Sequence, residues 1–282
     1  MNYIDITVGI VTFKSENVLF SCLKSIKNIR NIIIFDNSND LNTKKKVNKI
    51  YPNIKFILSR KNLGYGEANN KIIKLCKTKY LFVLNPDTVL KKNCELELLK
   101  SINSIKSDFS IIAPLSKEKN FGFFNDIKPQ FRDRLFQVDY VKGFAMLMDI
   151  KKIKKIGLFD KNFFLYLEEI DLCKRLIMNN QKIFISKYAK IIHLAAKSSN
   201  ILFEFDKCRN WHWMWSKFYF KKKHHGYPKA FLESLPILIT SIIKFIYYFI
   251  TNNEFKKKIY IMRFSGLLNS ILRKKSWYRP QV

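Results

Sequence analysis

The sequence is short of acidic residues: 22 Asp and Glu stand against 52 Lys and Arg, a formal net charge of +30 at pH 7. That imbalance points first to polyanions, whether nucleic acid, an anionic membrane surface or phosphorylated substrates. The excess is mostly lysine, however, and it is spread along the chain instead of forming one arm. Much of it therefore reads as solvated surface without a specific partner. Cysteine is sparse, and Cys22, Cys76, Cys94, Cys173 and Cys208 form no CxxC pair. This argues against a disulfide framework or a zinc knuckle, and for reduced thiols in a cytosolic setting. The first residues lead straight into a strand-like run, with no basic segment followed by an apolar one, so no secretory leader is expected. An uninterrupted apolar run of about 18 residues is also lacking. The nearest, residues 231–250, is broken by Glu233, Pro236 and Lys244. Only eight glycines occur, and Gly64, Gly66, Gly143 and Gly157 each sit beside a candidate motif. With so few, each is expected to mark a left-handed conformation or a close backbone approach.

What is present is enough for a buried core. Hydrophobic residues make up 48% of the 282 and aromatics 15%, which excludes a disordered chain despite the charge. Short β-branched runs at 6–12, 32–36, 54–58, 80–84 and 110–113 alternate with helical patterns near 18–27, 41–50, 67–76 and 94–102. Such alternation predicts a parallel sheet covered on both faces, with ligands at the carboxyl ends of its strands. Thr12, Phe13, Asp36, Asn37 and Asn85 to Thr88 occupy those ends. Residues 114–136 lose periodicity and read as a long loop or lid. Strands are expected again at 138–141, 145–150, 182–186 and 190–193, a helix near 168–179, and helices throughout the stretch after 200.

Five constellations could carry chemistry. Asn85-Pro86-Asp87-Thr88 puts a carboxylate where a divalent metal could sit beside a diphosphate, although on four residues alone an ordinary turn is the simpler account. Asp36, in Ile34-Phe35-Asp36-Asn37-Ser38, could accept from a nucleobase N–H or a ribose hydroxyl, or could start an Asx turn. Asn62-Leu63-Gly64-Tyr65-Gly66-Glu67-Ala68-Asn69-Asn70 is a glycine-bearing loop opening a helix, able to cradle an anion, but it lacks the third glycine of a dinucleotide fingerprint. Glu168, Glu169 and Asp171 start a helix and suit its macrodipole; Glu168 and Asp171 share a face while Glu169 points about 100° away. One could serve as general base and another as an anchor, and like charges this close should raise one proton affinity. His193 closes an apolar strand, with Ser198 and Ser199 shortly after; alone it reads as structural, beside Asp87 as a second metal ligand.

In order and spacing the set resembles the family 2 glycosyltransferases, in particular their rhamnosyltransferase-like branch, over roughly residues 4–225. The matching runs are Thr12-Phe13, Phe35-Asp36-Asn37-Ser38, Asn62 to Gly66 with Asn69-Asn70, Asn85 to Thr88, Lys142-Gly143-Phe144-Ala145-Met146-Leu147, Gly157-Leu158-Phe159-Asp160, Phe163-Phe164-Leu165-Tyr166, Asp171 to Arg175, and His193 with Ser198. The resemblance implies an α/β fold of GT-A type: a nucleotide-binding sandwich with a central, mostly parallel sheet at 1–225; the residues at 226–282 read as a helical, basic and aromatic extension. It implies that Thr12 and Asp36 contact nucleobase and ribose, with Phe13, Asn62, Gly64, Asn69, Asn85 and Gly143 on the nucleotide-sugar side. Asp87 would bind Mg2+ or Mn2+ at the donor diphosphate, and His193 would complete that site. The family usually has Glu-Asp where this chain has Glu168-Glu169, so Glu169 inherits the role of base with one extra methylene, and Glu168 or Asp171 stands as the alternative. Asn85 replaces the first carboxylate of the broader family's metal motif, leaving fewer anionic ligands.

The implied activity is that of an inverting hexosyltransferase acting in surface-polysaccharide synthesis. It would move rhamnose from a dTDP donor, or a sugar from a UDP donor, to a hydroxyl of a glycan or lipid-linked acceptor. The tail places Trp211, Trp213 and Trp215 before a basic run and then an apolar stripe at Leu235, Ile239, Ile242, Ile246 and Phe249. That pattern suits an interfacial helix on an anionic leaflet at the cytoplasmic face of the cell membrane, or a helical hairpin packed on the core or across a homo-oligomer. A nucleic-acid-binding protein is the rival class raised by the charge; few arginines and no recognised binding motif speak against it. A catalytically impaired scaffold is the third reading.

Overall fold

A computed structural model of the chain describes residues 2–105, 108–124, 134–194 and 202–279 (backbone alone at 202). Ser198 and Ser199 lie outside the described residues. The chain divides into two compact units, Met1–Asp160 with Glu169–Asn200, and Lys161–Glu168 with Ile201–Val282. The helix that begins at residue 202, which the sequence reading joins to residues 1–225, is thus grouped with the second unit.

The first unit is built on β1 (Ile6–Thr12), α1 (Glu16–Ser25), β2 (Asn31–Asp36), α2 (Leu41–Ile50), β3 (Lys55–Leu58), α3 (Tyr65–Leu75), β4 (Tyr80–Leu84), β5 (Thr88–Leu90) and α4 (Cys94–Ser104). It continues with β6 (Ile111–Ser116), β7 (Phe121–Gly122), β8 (Leu135–Val138), β9 (Tyr140–Val141), β10 (Ala145–Asp149), α5 (Ile150–Ile156), α6 (Glu168–Met178, whose first residue falls in the second unit) and β11 (Ile183–His193). Nine strands form one sheet in the order β3-β2-β1-β4-β10-β6-β11-β5, with β8 alongside β11. β3, β2, β1, β4, β6 and β11 run one way; β10, β5 and β8 run against them. The sheet is therefore mostly parallel, as the alternating pattern predicts.

Side-chain alternation explains why β4 reads as an unbroken apolar run. Tyr80, Phe82 and Leu84 join the core on one face, with Ile6, Leu19 and Ile34. Leu81 and Val83 join the core on the other, with Ile72, Met146 and Met148. A strand buried on both faces needs no polar position, so period two disappears from the sequence. Register then sets the site: Thr12 lies opposite Asp36, and Ile10 opposite Leu84, so both loops and Asn85 leave the sheet at one edge.

Three expectations change. Residues 114–136 are not wholly loop, because β6 runs through Ser116, β7 lies within the stretch and β8 begins at Leu135. The strands expected at 182–186 and 190–193 are one strand whose register shifts between Ser186 and Lys190, a bulge that breaks the alternation. β5 and α5 were not foreseen, both being too short for a periodic signal; α5 is capped by Asp149, which accepts from the Lys152 N–H at 3.1 Å.

The second unit holds α7 (Leu202–His225), α8 (Tyr227–Ile250) and α9 (Glu254–Ile271). α7 and α9 cross closely at Gly266, where an added Cβ would stand 2.2 Å from the Trp211 carbonyl oxygen. α8 is continuous through Pro236, and by length and composition it is long and apolar enough to cross a membrane.

Candidate active site

Strand pairing brings together two residues 106 positions apart. β5 runs antiparallel to β11 with His193 opposite Thr88, and the Leu194 N–H donates to the Asp87 carbonyl at 2.9 Å. Asp87 is 3% exposed, and its Oδ1 lies 3.4 Å from His193 Nε2. Neither Asp87 Oδ1 nor His193 Nδ1 has a hydrogen-bond partner among the described residues. A buried carboxylate oxygen left unsatisfied is costly and calls for a ligand. The imidazole is fixed by Phe144, whose ring stacks on it at 4.1 Å between centroids and 10° between planes.

Among the described residues no group of three or more His, Cys, Asp or Glu side chains is arranged to hold a metal ion. A carboxylate and an imidazole this close still fit a hard divalent cation that takes its other ligands from phosphate oxygens and water, as Mg2+ sites commonly do. Glu118, which the sequence gave no reason to single out, has its half-exposed carboxylate 3.9 Å from His193 Nδ1.

The segment Gly143-Phe144 joins this pair to the base candidate. The Phe144 carbonyl accepts from the Asn85 N–H at 2.9 Å and from Thr88 Oγ1 at 3.2 Å. The Gly143 carbonyl accepts from the Tyr65 hydroxyl, and the Gly143 N–H bonds the Glu169 carboxylate. The approach is close: a Cβ at 143 would meet the Tyr65 hydroxyl at 3.1 Å, so the Tyr65 ring would have to give. Glu169 is half-buried, and burial raises its proton affinity above the ordinary carboxylate value, against opposing backbone N–H bonds and the Lys142 charge. The sequence reading expects such a rise from neighbouring like charge; its principal cause is burial.

The other carboxylates have different settings. Asp171 is fully buried and pairs with Arg175 Nε at 2.9 Å. The same guanidinium donates to the carbonyls of Ile156, Gly157 and Leu158, so Asp171 takes the anchoring role and holds the 156–158 turn. Glu168 is buried, at 3% exposure, and falls in the second unit. Just before it, Tyr166 and Leu167 both adopt left-handed backbone (φ 71° and 67°), a strained approach to α6 for residues with Cβ atoms.

At the sheet edge, Asp36 is buried and its carboxylate accepts from Thr12 Oγ1, Ser38 Oγ and the Asp40 N–H, each at 2.8 Å at the closest. Asp36 thus organises the turn that follows β2, through the Asp40 N–H, and ties it to Thr12. Phe13 is half-buried beside them. Asn37, expected at a strand end but with no role of its own, bridges to the glycine loop: its Nδ2 donates to the Gly64 carbonyl and its Oδ1 accepts from the Leu63 N–H. Asn62 Oδ1 accepts from the Gly64 N–H at 2.9 Å, and Gly64 takes φ 80°, the conformation glycine tolerates best. Asn69 is completely buried; its Nδ2 donates to the Tyr65 carbonyl, whereas its Oδ1 has no partner among the described residues.

The model of glycosyl transferase family 2 matches residues 7–184. The low-salt glycan biosynthesis hexosyltransferase Agl10 of Haloferax volcanii is 26% identical over 210 residues, covering 67% of this chain and 67% of that protein. The rhamnosyltransferase WbbL of Escherichia coli is 25% identical over 210 residues, covering 64% and 78%. Among solved structures, the mannosyltransferase PcManGT from Pyrobaculum calidifontis, in complex with GDP-Man and Mn2+, superposes with a TM-score of 0.60 at 8% identity, covering 96% of this chain and 88% of that one. That likeness gives the fold as GT-A. The family match runs through every strand-end loop described above except the one closed by His193, and on that extent the chain belongs to glycosyl transferase family 2.

Proposed function

We propose that this glycosyltransferase moves a sugar, with inversion, from a nucleoside-diphosphate donor to a hydroxyl of a glycan or lipid-linked acceptor on the cytoplasmic side. The observation that carries the reading is the unsatisfied, buried Asp87 Oδ1 beside His193, joined through Gly143-Phe144 to Glu169. Asp87 and His193 would hold Mg2+ or Mn2+, and PcManGT is solved with Mn2+. When bound, the ion offsets negative charge growing on the leaving nucleotide.

The chain's own residues supply the rest. Thr12, Phe13 and the turn organised by Asp36 border the nucleoside. Asn62, Gly64, Asn69, Asn85 and Gly143 belong to the diphosphate and sugar side. Glu169 takes the proton of the acceptor hydroxyl as that oxygen attacks the anomeric carbon from the face opposite the nucleotide, which inverts the centre. A raised proton affinity makes Glu169 a stronger base once ionised, and the Gly143 N–H holds its carboxylate in place.

Rhamnose from a dTDP donor is the sugar we favour, on the similarity to WbbL. Purified protein given Mn2+, a lipid-linked acceptor and a panel of donors tests this. Release of dTDP that depends on acceptor, with a product of opposite anomeric configuration, is the expected result. Turnover of UDP-sugars alone would overturn the donor assignment, and retention of configuration would overturn the base.

A further inference from the structure

Helix α8 is built inside out. Within the helical unit, Ala230, Ser234 and Ser241 are its buried residues, at spacings of four and seven. Leu232, Ile239, Ile243, Ile246 and Ile250 are exposed, by 65%, 54%, 59%, 49% and 75%. At about 100° per residue, these five and the neighbouring Ile242 and Phe249 form a continuous apolar face on the side away from the serines. A helix meant to face water carries the reverse pattern, and a contiguous apolar face of this length on a soluble surface marks a partner.

Further observations identify that partner. The exposed apolar face carries no charged residue: at the same 100° per residue Glu233 and Lys244 fall on the flank toward the serines, where Glu233 pairs with Lys221 of α7. Lysines then gather at the end of the helix over aromatic rings. Lys256 Nζ lies 5.1 Å from the Tyr248 ring centroid, Lys257 5.4 Å from that of Phe249, and Lys244 5.4 Å from that of Tyr260. Cations beside aromatic rings at the rim of an apolar face match the headgroup layer of a bilayer. A second copy of a chain with net charge +30 would bring like charge to the same rim.

We infer that α8 lies in the plane of an anionic lipid leaflet, with the stripe from Leu232 to Ile250 in the acyl boundary and Lys256, Lys257 and Lys258 among the headgroups. This goes beyond the donor and acceptor chemistry and is independent of turnover.

Flotation of the full chain with vesicles tests it. One set is phosphatidylcholine alone, the other contains about one-third phosphatidylglycerol. The protein should float with the anionic vesicles and stay behind with the neutral ones. Replacing Lys256, Lys257 and Lys258 by Gln should weaken partition by about fivefold per lysine, as expected for roughly 1 kcal/mol each at an anionic surface. Ile243→Glu with Ile246→Glu should abolish flotation while leaving the circular dichroism spectrum and the melting temperature in place; these positions are exposed, so folding should not suffer. Undiminished flotation of that variant would overturn the inference. So would failure of the wild-type chain to float, whether it is then monomeric or a dimer by light scattering that the same pair of substitutions dissociates.

Discussion

The sheet unit and helix α8 place their apolar residues by opposite rules. In β1 and β4 every apolar side chain goes inward, and buried polar groups collect at or just past the strand ends: Thr12, Asp36 and Asp87. In α8 Ser234 and Ser241 are inside, and Ile239, Ile242, Ile243, Ile246 and Ile250 are outside. Departures from the rule carry the information in both cases. Among strands that water has to leave, a buried carboxylate oxygen without a partner marks a ligand. On a helix that water should reach, an apolar stripe marks a surface that water does not reach in use.

Substitutions can break this comparison, and the largest effect should come at the strand ends. Asp87→Ala should reduce sugar transfer by roughly a thousandfold or more in a steady-state assay, while the melting temperature holds or rises as an unsatisfied buried oxygen is removed. Next comes Glu169→Gln, for which kcat should fall by about 10²–10⁴-fold with donor affinity unchanged. The pH dependence follows from burial. Folding raises the Glu169 proton affinity, so its contribution to stability is fully present below its unfolded pKa and is lost as pH rises through the folded one. The same ionisation switches the base on, so kcat/KM should climb with pH on a limb lying above the ordinary carboxylate range. Glu169→Gln should remove that limb and flatten the stability profile across the same window.

Packing positions should then separate the two regions by stability alone. Phe82→Ala, at the centre of the sheet, should cost about 3–5 kcal/mol in chemical denaturation. Ile243→Ser on α8 removes a side chain of comparable hydrophobic character, yet without lipid it should stay within about 0.5 kcal/mol of wild type. A large loss at Ile243 would mean that the stripe is core after all, and the contrast would collapse.

The sheet was legible in the sequence because its runs are apolar, short and separated by helical periodicity; 6–12 and 80–84 are predicted to the residue. What escaped is what pairing alone decides. β5 has three residues and no pattern of its own, yet it brings His193 to Asp87. The bulge in β11 hides one strand as two. Asn37 stood inside a motif without a role, because its bridge to Gly64 depends on how two loops leave adjacent strands. Phe144 was read as part of a run, and its stacking on His193 could not be foreseen from residues 49 positions apart. The stripe of α8 was legible from its helical spacing; counting uninterrupted apolar residues alone would have hidden it, because Glu233 and Lys244 interrupt the run while lying off the stripe on a helix.

The most direct test of the central claim, that Asp87 with His193 forms a metal–diphosphate site distinct from the base, is a calorimetric titration of nucleoside diphosphate into the protein with and without Mn2+. Wild type and Glu169→Gln should both bind at least tenfold more tightly with Mn2+, and Asp87→Asn should lose that dependence. Metal-dependent binding retained by Asp87→Asn would contradict the account.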